Sequence, residues 1–197
     1  VIRDYDLLVS SSHCVAKGIF AGGAPHFAYV HAPMRYVWDM HDAYFGADAS
    51  WAVRAGMALC RRYLQRWDLR SANGVDYFIA NSKNVAGKIQ GLYGRRSQVI
   101  YPPVDVDRFF ISDRREPFYL IVSALVPYKS IQLAVAAFNE LNLPLKVAGE
   151  GPLRKSLEKQ ARGNIEFIGW VGAERLAELY ANCEALIFPG EEDFGIV

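Results

Sequence analysis

Short apolar runs alternate with longer helical patterns along the whole chain, and this alternation restricts the possible folds more than any other feature. Eight runs are predicted as strands, at 5–10, 27–31, 77–80, 99–101, 118–123, 145–148, 165–168 and 185–188. Five helices are predicted between them, at 51–73, 82–92, 128–142, 152–161 and 173–181. Strands that are apolar almost throughout and separated by helices are typical of parallel sheets covered on both faces. The sequence therefore predicts an α/β fold.

Two prolines divide this alternating pattern into two series. The segment Tyr101-Pro102-Pro103-Val104-Asp105 excludes helix and favours an extended chain. Residues 112–117, which follow it, are polar and charged. We therefore predict a first domain over residues 1–100, a hinge at 101–105 and a second domain over 106–197.

Composition excludes few classes of protein. The net charge of +1 gives no argument for nucleic acid as a partner. Cys14, Cys60 and Cys183 are widely spaced and fit no zinc site, which favours a reducing cytoplasm. No apolar run reaches the roughly 18 residues of a membrane span. Because the chain opens on Val1 without a methionine and stops directly after an acidic loop, we expect both ends to be cut from a longer protein.

Polar residues follow the strands of the second series, where ligands of open parallel sheets bind. Lys129 follows the first of these strands, Gly149-Glu150-Gly151-Pro152 the second, and Glu191-Glu192-Asp193 the last. A lysine beside the free N–H groups of a helix start attracts phosphate. Carboxylates instead accept hydrogen bonds from hydroxyl groups. Together these groups indicate a sugar nucleotide as the ligand.

Eight stretches, in this order, resemble the retaining glycosyltransferases of family 4: YVHAPMRYVWD, FIANS, VIYPPVDVDRF, VSALVPYKS, LKVAGEGP, NIEFIGWV, LYANCEALIFPG and EEDFGIV. The resemblance covers nearly the whole chain. It implies the GT-B fold, with two facing Rossmann-like domains that are both incomplete here. Residues 1–100 would be the later part of the acceptor-side domain, and residues 106–197 the earlier part of the nucleotide-sugar domain.

The resemblance also implies roles for individual residues. The predicted catalytic residues are His31, Lys129 and Glu192. The predicted donor-binding residues are Lys129, Gly149, Gly151, Glu192, Asp193, Phe194 and Gly195. Arg35 and Ser82 are predicted on the acceptor side. Lys129 would hold the donor diphosphate, Glu192 and neighbouring amides the sugar, and a second glutamate of the family pattern would fall at position 200, beyond this chain. We expect no essential metal or other cofactor.

Simpler interpretations stay open for most of these residues. Lys129 and Glu192 could be solvated surface charges, and His31 could close a strand end. Ser82 is most simply a helix N-cap. Gly149 and Gly151 could serve a tight turn alone.

Two positions depart from the family pattern. Many relatives carry arginine where this chain has Ala124, and many carry glycine where it has Ser130. The first change removes a cation from the phosphate site. Arg35, on the facing loop of the family fold, could replace that charge.

The expected activity is retaining transfer of a hexosyl unit, with mannosyl from GDP-mannose as one candidate, to a lipid-linked or oligosaccharide acceptor. We expect the 197-residue chain alone to lack this activity. A non-catalytic nucleotide-sugar-binding module is the alternative. A Rossmann dehydrogenase is disfavoured because no Gly-x-Gly-x-x-Gly follows a strand.

A basic helical segment suggests a location for the protein. Five arginines accompany Trp51, Tyr63 and Trp67 between residues 51 and 73. Basic amphipathic helices bind anionic membranes, although a solvated face has the same composition. We expect a cytoplasmic protein, with peripheral contact to the inner membrane face as an open possibility.

Overall fold

A computed structural model describes residues 5–46 and 49–197 as two compact units. The first unit contains the described residues up to Pro103 together with Glu192–Ile196. The second contains Val104–Glu191 and Val197. Each unit is built on a four-stranded sheet, and every strand pair in both sheets is parallel. The predicted α/β class is therefore confirmed.

The sheet of the first unit has its strands in sequence order, β1-β2-β3-β4. The strands are β1 Leu8–Ser12, β2 His26–Val30, β3 Tyr77–Ala80 and β4 Ser97–Val99. The helices are α1 His41–Phe45, α2 Trp51–Ala72 and α3 Lys83–Tyr93. A short 3-10 turn at Ala16–Gly18 follows β1.

The core of the first unit lies between the sheet and α3. Ser82 caps α3, since its side chain accepts a hydrogen bond from the N–H of Val85 at 3.0 Å. Val85 and Ile89, one turn apart on this helix, are fully buried against Phe78 of β3. The left-handed Gly94, at φ 64°, ends the helix.

A buried ion pair fixes α2 on this unit. Lys17 and Asp68 are both almost inaccessible to solvent and form a direct salt bridge. Trp38 Nε1 and the Tyr93 hydroxyl donate to Asp68 Oδ2 at 2.8 and 2.9 Å. Burial raises the pKa of Tyr93, and the charge of Asp68 beside it raises that pKa further. The carboxylate therefore has three donors that satisfy it away from water.

The sheet of the second unit has the order β7-β6-β5-β8, with crossovers typical of a Rossmann-like fold. Its strands are β5 Tyr119–Val122, β6 Leu145–Ala148, β7 Ile165–Gly169 and β8 Ala185–Leu186. Its helices are α4 Ile131–Leu141, α5 Arg154–Gln160 and α6 Ala173–Asn182. The largest cluster of buried side chains in this unit includes Leu145 and Val147 of β6 packed with α4 residues such as Val135 and Phe138.

Two strand predictions were displaced. The first strand was predicted at 5–10 and lies at Leu8–Ser12, because its polar serines pair with β2 through the backbone. Ser10 is nevertheless buried, and its hydroxyl bonds His26 Nε2 at 2.8 Å. The strand predicted at 99–101 lies at Ser97–Val99. Helix α1 and the short 3-10 turns were not predicted.

The predicted helix 128–142 is broken at its start. Pro127–Lys129 forms a 3-10 turn, and α4 begins only at Ile131. Between them Ser130 has a left-handed backbone, with φ 55° and ψ 29°. An L side chain is strained in this conformation, which glycine adopts freely.

Replacing Ser130 by glycine should therefore stabilise the second unit. Glycine relieves the left-handed strain, and this effect outweighs the greater freedom that glycine gives the unfolded chain. We therefore expect the free energy of unfolding to rise by about 0.5–1 kcal/mol. Urea unfolding followed by circular dichroism measures it. The same change at Ser156, inside α5, is the control and should destabilise. A loss of stability in Ser130→Gly would contradict the strain argument.

Each helix in the described residues is too short or too polar to cross a lipid bilayer.

Candidate active site

The loop after β5 lies directly against the turn after β6. The N–H of Ser123 donates to Ala148 O at 3.0 Å, and the N–H of Leu125 donates to Glu150 O at 2.9 Å. In the opposite direction, the N–H of Leu153 donates to Leu125 O at 3.1 Å. The carboxyl ends of two neighbouring strands are thus joined through their backbones.

Gly149 and Gly151 make this approach possible. A Cβ at Gly149 would lie 1.9 Å from the carbonyl oxygen of Ser123, and one at Gly151 would lie 2.4 Å from that of Leu125. Gly149 also has φ +134°, which side chains rarely adopt. Close backbone packing therefore explains both glycines without a ligand. Their predicted role in donor binding stays a prediction.

Lys129 ends the short turn that follows β5. Its N–H donates to Val126 O at 3.1 Å, and its ammonium group lies 5.6 Å from the ring centre of Tyr128. Gly190, after β8, approaches so closely that a Cβ there would lie 3.0 Å from Lys129 O. The ends of β5 and β8 therefore hold the backbone of Lys129 in place.

An open cleft of about 420 Å³ lies in the second unit, at the carboxyl ends of β5, β6 and β7. It is lined by Val122, Ser123, Ala124, Ala148, Gly149, Glu150, Trp170, Val171, Leu176 and Val197. Trp170 is 79% exposed, so its ring offers a face for stacking. Ala124 contributes a small, uncharged side chain to this lining.

His31 lies at the carboxyl end of β2 in the first unit. Its N–H donates to Ser12 O at 3.0 Å, which extends the pairing with β1. Its Nε2 lies 2.9 Å from the Ser11 hydroxyl, and its ring meets Tyr29 edge-on. The side chain is exposed, so it is both oriented and accessible.

Ser82 is explained by its cap. Its hydroxyl accepts from the first turn of α3, and the residue is buried. Its predicted contact with an acceptor stays a prediction.

Asp193 is buried in the first unit among positively charged groups. Oδ2 accepts from Arg35 Nε at 2.7 Å and pairs with Arg35 Nη2 at 2.6 Å. Oδ1 accepts from Lys88 Nζ at 2.7 Å and from Asn84 Nδ2 at 2.9 Å. Lys88 also pairs with Asp39. We call these five residues the Asp193 cluster.

The cluster keeps Lys88 charged. Burial lowers the pKa of Lys88, but the bonds to Asp193 and Asp39 outweigh burial and leave it above its ordinary value. The charge of Arg35 is balanced by Asp193. In this structure the guanidinium group of Arg35 binds a carboxylate. Its replacement of a missing phosphate cation stays a prediction.

Three predicted donor-site residues flank Asp193. Glu192 is half-buried. Phe194 lies against Tyr101, with ring centres 6.0 Å apart, and Gly195 has a left-handed φ of +76°. Their roles in donor binding stay predictions. Sequence reasoning missed Asn84 and Lys88, whose only signal was their spacing of one helical turn on α3.

Metal ligands receive little support. The sequence contains two Asp-x-Asp triplets, Asp4-Tyr5-Asp6 and Asp105-Val106-Asp107. In the second, Asp105 Oδ2 accepts from Arg108 Nη2 at 2.8 Å. In the part of the chain that the structure describes, no group of three or more His, Cys, Asp or Glu side chains could hold a metal ion. The absence of an essential cofactor stays a prediction.

Comparison with known families identifies the chain. The family model described as Glycosyltransferase Family 4 matches residues 2–108. The chain belongs to glycosyltransferase family 4. A second family model, described as Glycosyl transferases group 1, matches residues 106–197 of this family 4 glycosyltransferase chain. The two matches together cover both sheets.

Curated relatives and a solved structure agree with this assignment. An uncharacterized glycosyltransferase of Methanocaldococcus jannaschii is 28% identical over 127 residues, which cover 62% of this chain and 36% of the relative. The O-antigen chain mannosyltransferase C of Escherichia coli is 27% identical over 140 residues, covering 62% and 38%. The chain thus matches little more than a third of the length of these relatives.

The crystal structure of TarM superposes with a TM-score of 0.63 at 12% identity, covering 91% of this chain and 35% of TarM. The predicted GT-B class is confirmed.

Proposed function

We propose that the full-length protein is a retaining glycosyltransferase that moves a hexosyl unit from a nucleoside diphosphate sugar to an acceptor. The observation that supports this most is Lys129, whose backbone is fixed by the ends of β5 and β8 in a unit of the glycosyltransferase group 1 family. Two further features support it. An open cleft with an exposed indole lies at the same sheet edge, and an oriented histidine ends β2 in the first unit.

Lys129 would stabilise the leaving group. Departure of a nucleoside diphosphate places negative charge on its oxygen, and an ammonium group or backbone N–H groups beside that oxygen lower the energy of that state. Retention requires the acceptor to attack on the face from which the diphosphate leaves. The support for this stereochemistry is the family resemblance.

His31 would act on the reacting sugar, as the family resemblance implies. Its Ser11 partner fixes the ring while leaving the side chain exposed. A ring held in this way would hold the reacting sugar or the forming charge, and Glu192 would accept hydrogen bonds from sugar hydroxyls.

Mannosyl from GDP-mannose is the donor that we propose to test first. The support is the similarity to an O-antigen chain mannosyltransferase, at 27% identity over 140 residues. A lipid-linked or oligosaccharide acceptor fits the same comparison.

A transfer assay tests the proposal. The full-length protein is incubated with GDP-mannose, UDP-glucose or UDP-N-acetylglucosamine, and release of the nucleoside diphosphate is measured with and without a panel of lipid-linked and oligosaccharide acceptors. We expect release with one donor, raised by an acceptor, and a product whose anomeric carbon keeps the donor configuration by NMR. An inverted product would refute retention.

A non-catalytic nucleotide-sugar-binding module is the second candidate. Ala124 favours it, because an uncharged side chain lines the cleft where the family resemblance implies a cation. Such a module would bind a nucleotide sugar without releasing the diphosphate, so the same assay separates the two candidates.

We further propose that α2 brings the protein to an anionic membrane surface. Trp51, Leu59 and Tyr63 are 82, 84 and 68% exposed. At about 100° per residue, Arg62 and Arg66 fall within the same arc as these three side chains. Arg61 instead turns inward and donates to Val37 O at 3.1 Å. Interleaved arginine and aromatic side chains are typical of interfacial helices.

Co-sedimentation with vesicles measures this contact. We expect binding to vesicles rich in phosphatidylglycerol, weakened by salt, and little binding to phosphatidylcholine. Arg62→Gln/Arg66→Gln should weaken it by about 2 kcal/mol, or roughly 30-fold. Lys155→Gln/Lys159→Gln on α5 is the matched control. Equal binding by both double variants, or none by the unsubstituted protein at low salt, would contradict the proposal.

A further inference from the structure

Three side chains, an arginine, a lysine and an asparagine, make four contacts with the Asp193 carboxylate. Arg35 presents two nitrogens to Oδ2, and Lys88 and Asn84 share Oδ1. Hydrogen bonds to charged groups are about twice as strong as those between neutral groups. Asp193 is 7% exposed, so water competes little for these bonds. A carboxylate with these four contacts has little acceptor capacity left for a sugar hydroxyl.

The donors come from two separate places in the first unit. Arg35 lies in the turns after β2, where the N–H groups of Val37 and Met40 close on neighbouring carbonyls. Asn84 and Lys88 lie one turn apart on α3. Lys88 also pairs with Asp39, so the cluster contains two carboxylates and two cations and is balanced in charge.

We propose that Asp193 is a positioning residue, which anchors the segment Glu192–Ile196 to the first unit through Arg35, Lys88 and Asn84. The segment then presents Glu192 and the backbone N–H groups of Phe194 and Gly195 in one arrangement. This inference rests on the proposed function, because those groups are the predicted sugar ligands. Arg35 acts through Asp193 and not on the donor phosphates.

Neighbouring residues make anchorage at this position effective. Asp193 follows Glu192 directly and lies two residues before the left-handed Gly195. Phe194 contacts Tyr101 on the same unit, which adds an apolar contact to the ionic one. Holding ligand groups within about half an ångström requires such supporting contacts, and a displacement of about 1 Å can cost a hundredfold in rate.

Hydrogen–deuterium exchange and steady-state kinetics of the full-length protein test the inference. Asp193→Asn keeps the shape of the side chain but removes the charge that Arg35 and Lys88 bind. We expect exchange at residues 192–196 to speed up at least tenfold, with the core amides of both sheets unchanged. We expect kcat/KM for the donor to fall about tenfold, mostly through a higher KM, because the sugar ligands lose their arrangement.

Two further variants make the test specific. Glu140→Gln, at an exposed carboxylate on α4, should change neither exchange nor kinetics. Arg35→Gln should resemble Asp193→Asn, and the double variant should lose little more than either single one, because both substitutions break the same contact. Arg35→Gln also provides the answer should Asp193→Asn not fold.

The outcomes are distinct. Unchanged exchange at 192–196 in Asp193→Asn would overturn the anchorage, and a uniform rise in exchange across both sheets would reduce Asp193 to a general structural role. If the effects of the two substitutions on exchange and on kcat/KM were fully additive, Arg35 would not act through Asp193. Absence of donor turnover in the unsubstituted protein would instead count against the proposed function, and exchange alone would then decide the anchorage.

Discussion

Replacing Lys129 by alanine in the full-length protein is expected to lower kcat/KM for the donor by about 10²–10³, or roughly 3–4 kcal/mol. The lysine backbone is held by Val126 and by the close approach of Gly190, so the side chain extends from a fixed backbone position. Removing such a group costs most in the transition state, where the diphosphate oxygen gains charge. The fall should therefore be larger in kcat than in donor affinity.

Matched variants separate chemistry from folding. Lys155→Ala and Lys159→Ala remove exposed lysines of the same unit and should leave kcat/KM unchanged. Lys129→Ala should keep the thermal midpoint within a degree or two, since the change removes no buried side chain. Turnover by Lys129→Ala equal to that of the unsubstituted protein would exclude the phosphate role.

Replacing Gly149 by alanine is expected to destabilise the second unit by about 3 kcal/mol, the sum of backbone strain and overpacking. The new Cβ would lie 1.9 Å from Ser123 O, and neither partner is a flexible side-chain end. To relieve the clash, the loop after β5 must move away from the turn after β6. The hydrogen bond from Ser123 N–H to Ala148 O is the first to be strained.

Urea unfolding followed by tryptophan fluorescence and circular dichroism measures this effect. Gly163→Ala is the control, because a Cβ there meets no atom within 4 Å and the backbone angle is ordinary. Its stability should change by less than about 0.5 kcal/mol. A Gly149→Ala protein as stable as Gly163→Ala would show that the two loops do not need their close approach.

Strand positions were predictable where a short apolar run was bounded by polar or glycine residues. Strands β3 and β6 lie at the predicted residues, since both are short apolar runs that end at polar or glycine residues. Strand β1 was displaced because three of its five residues are serine, and parallel pairing with β2 depends on backbone groups that composition does not reveal. Helix α4 started late because the left-handed Ser130 cannot be recognised from a serine in the sequence.

Candidate site residues divide in the same way. The strand-end positions of Lys129, His31 and the two glycines followed from the order of strands, because a parallel sheet places successive carboxyl ends at one edge. The partners of Asp193 did not follow. Arg35 is 158 residues away and Asn84 is 109 residues away, so a local pattern gives no sign of the contact. The buried pair of Lys17 and Asp68 was hidden for the same reason.

A thermal-shift titration of the full-length protein with GDP, UDP and ADP tests the central claim most directly. A nucleoside diphosphate that binds the folded protein stabilises it by about 2.7 kcal/mol at a concentration of 100 Kd, which raises the midpoint. We expect one base to give a clear, saturable rise, and Lys129→Ala to shift its half-saturation to higher concentration. The absence of any rise with all three diphosphates at millimolar concentration, in a protein that unfolds cooperatively, would contradict a donor site in this chain.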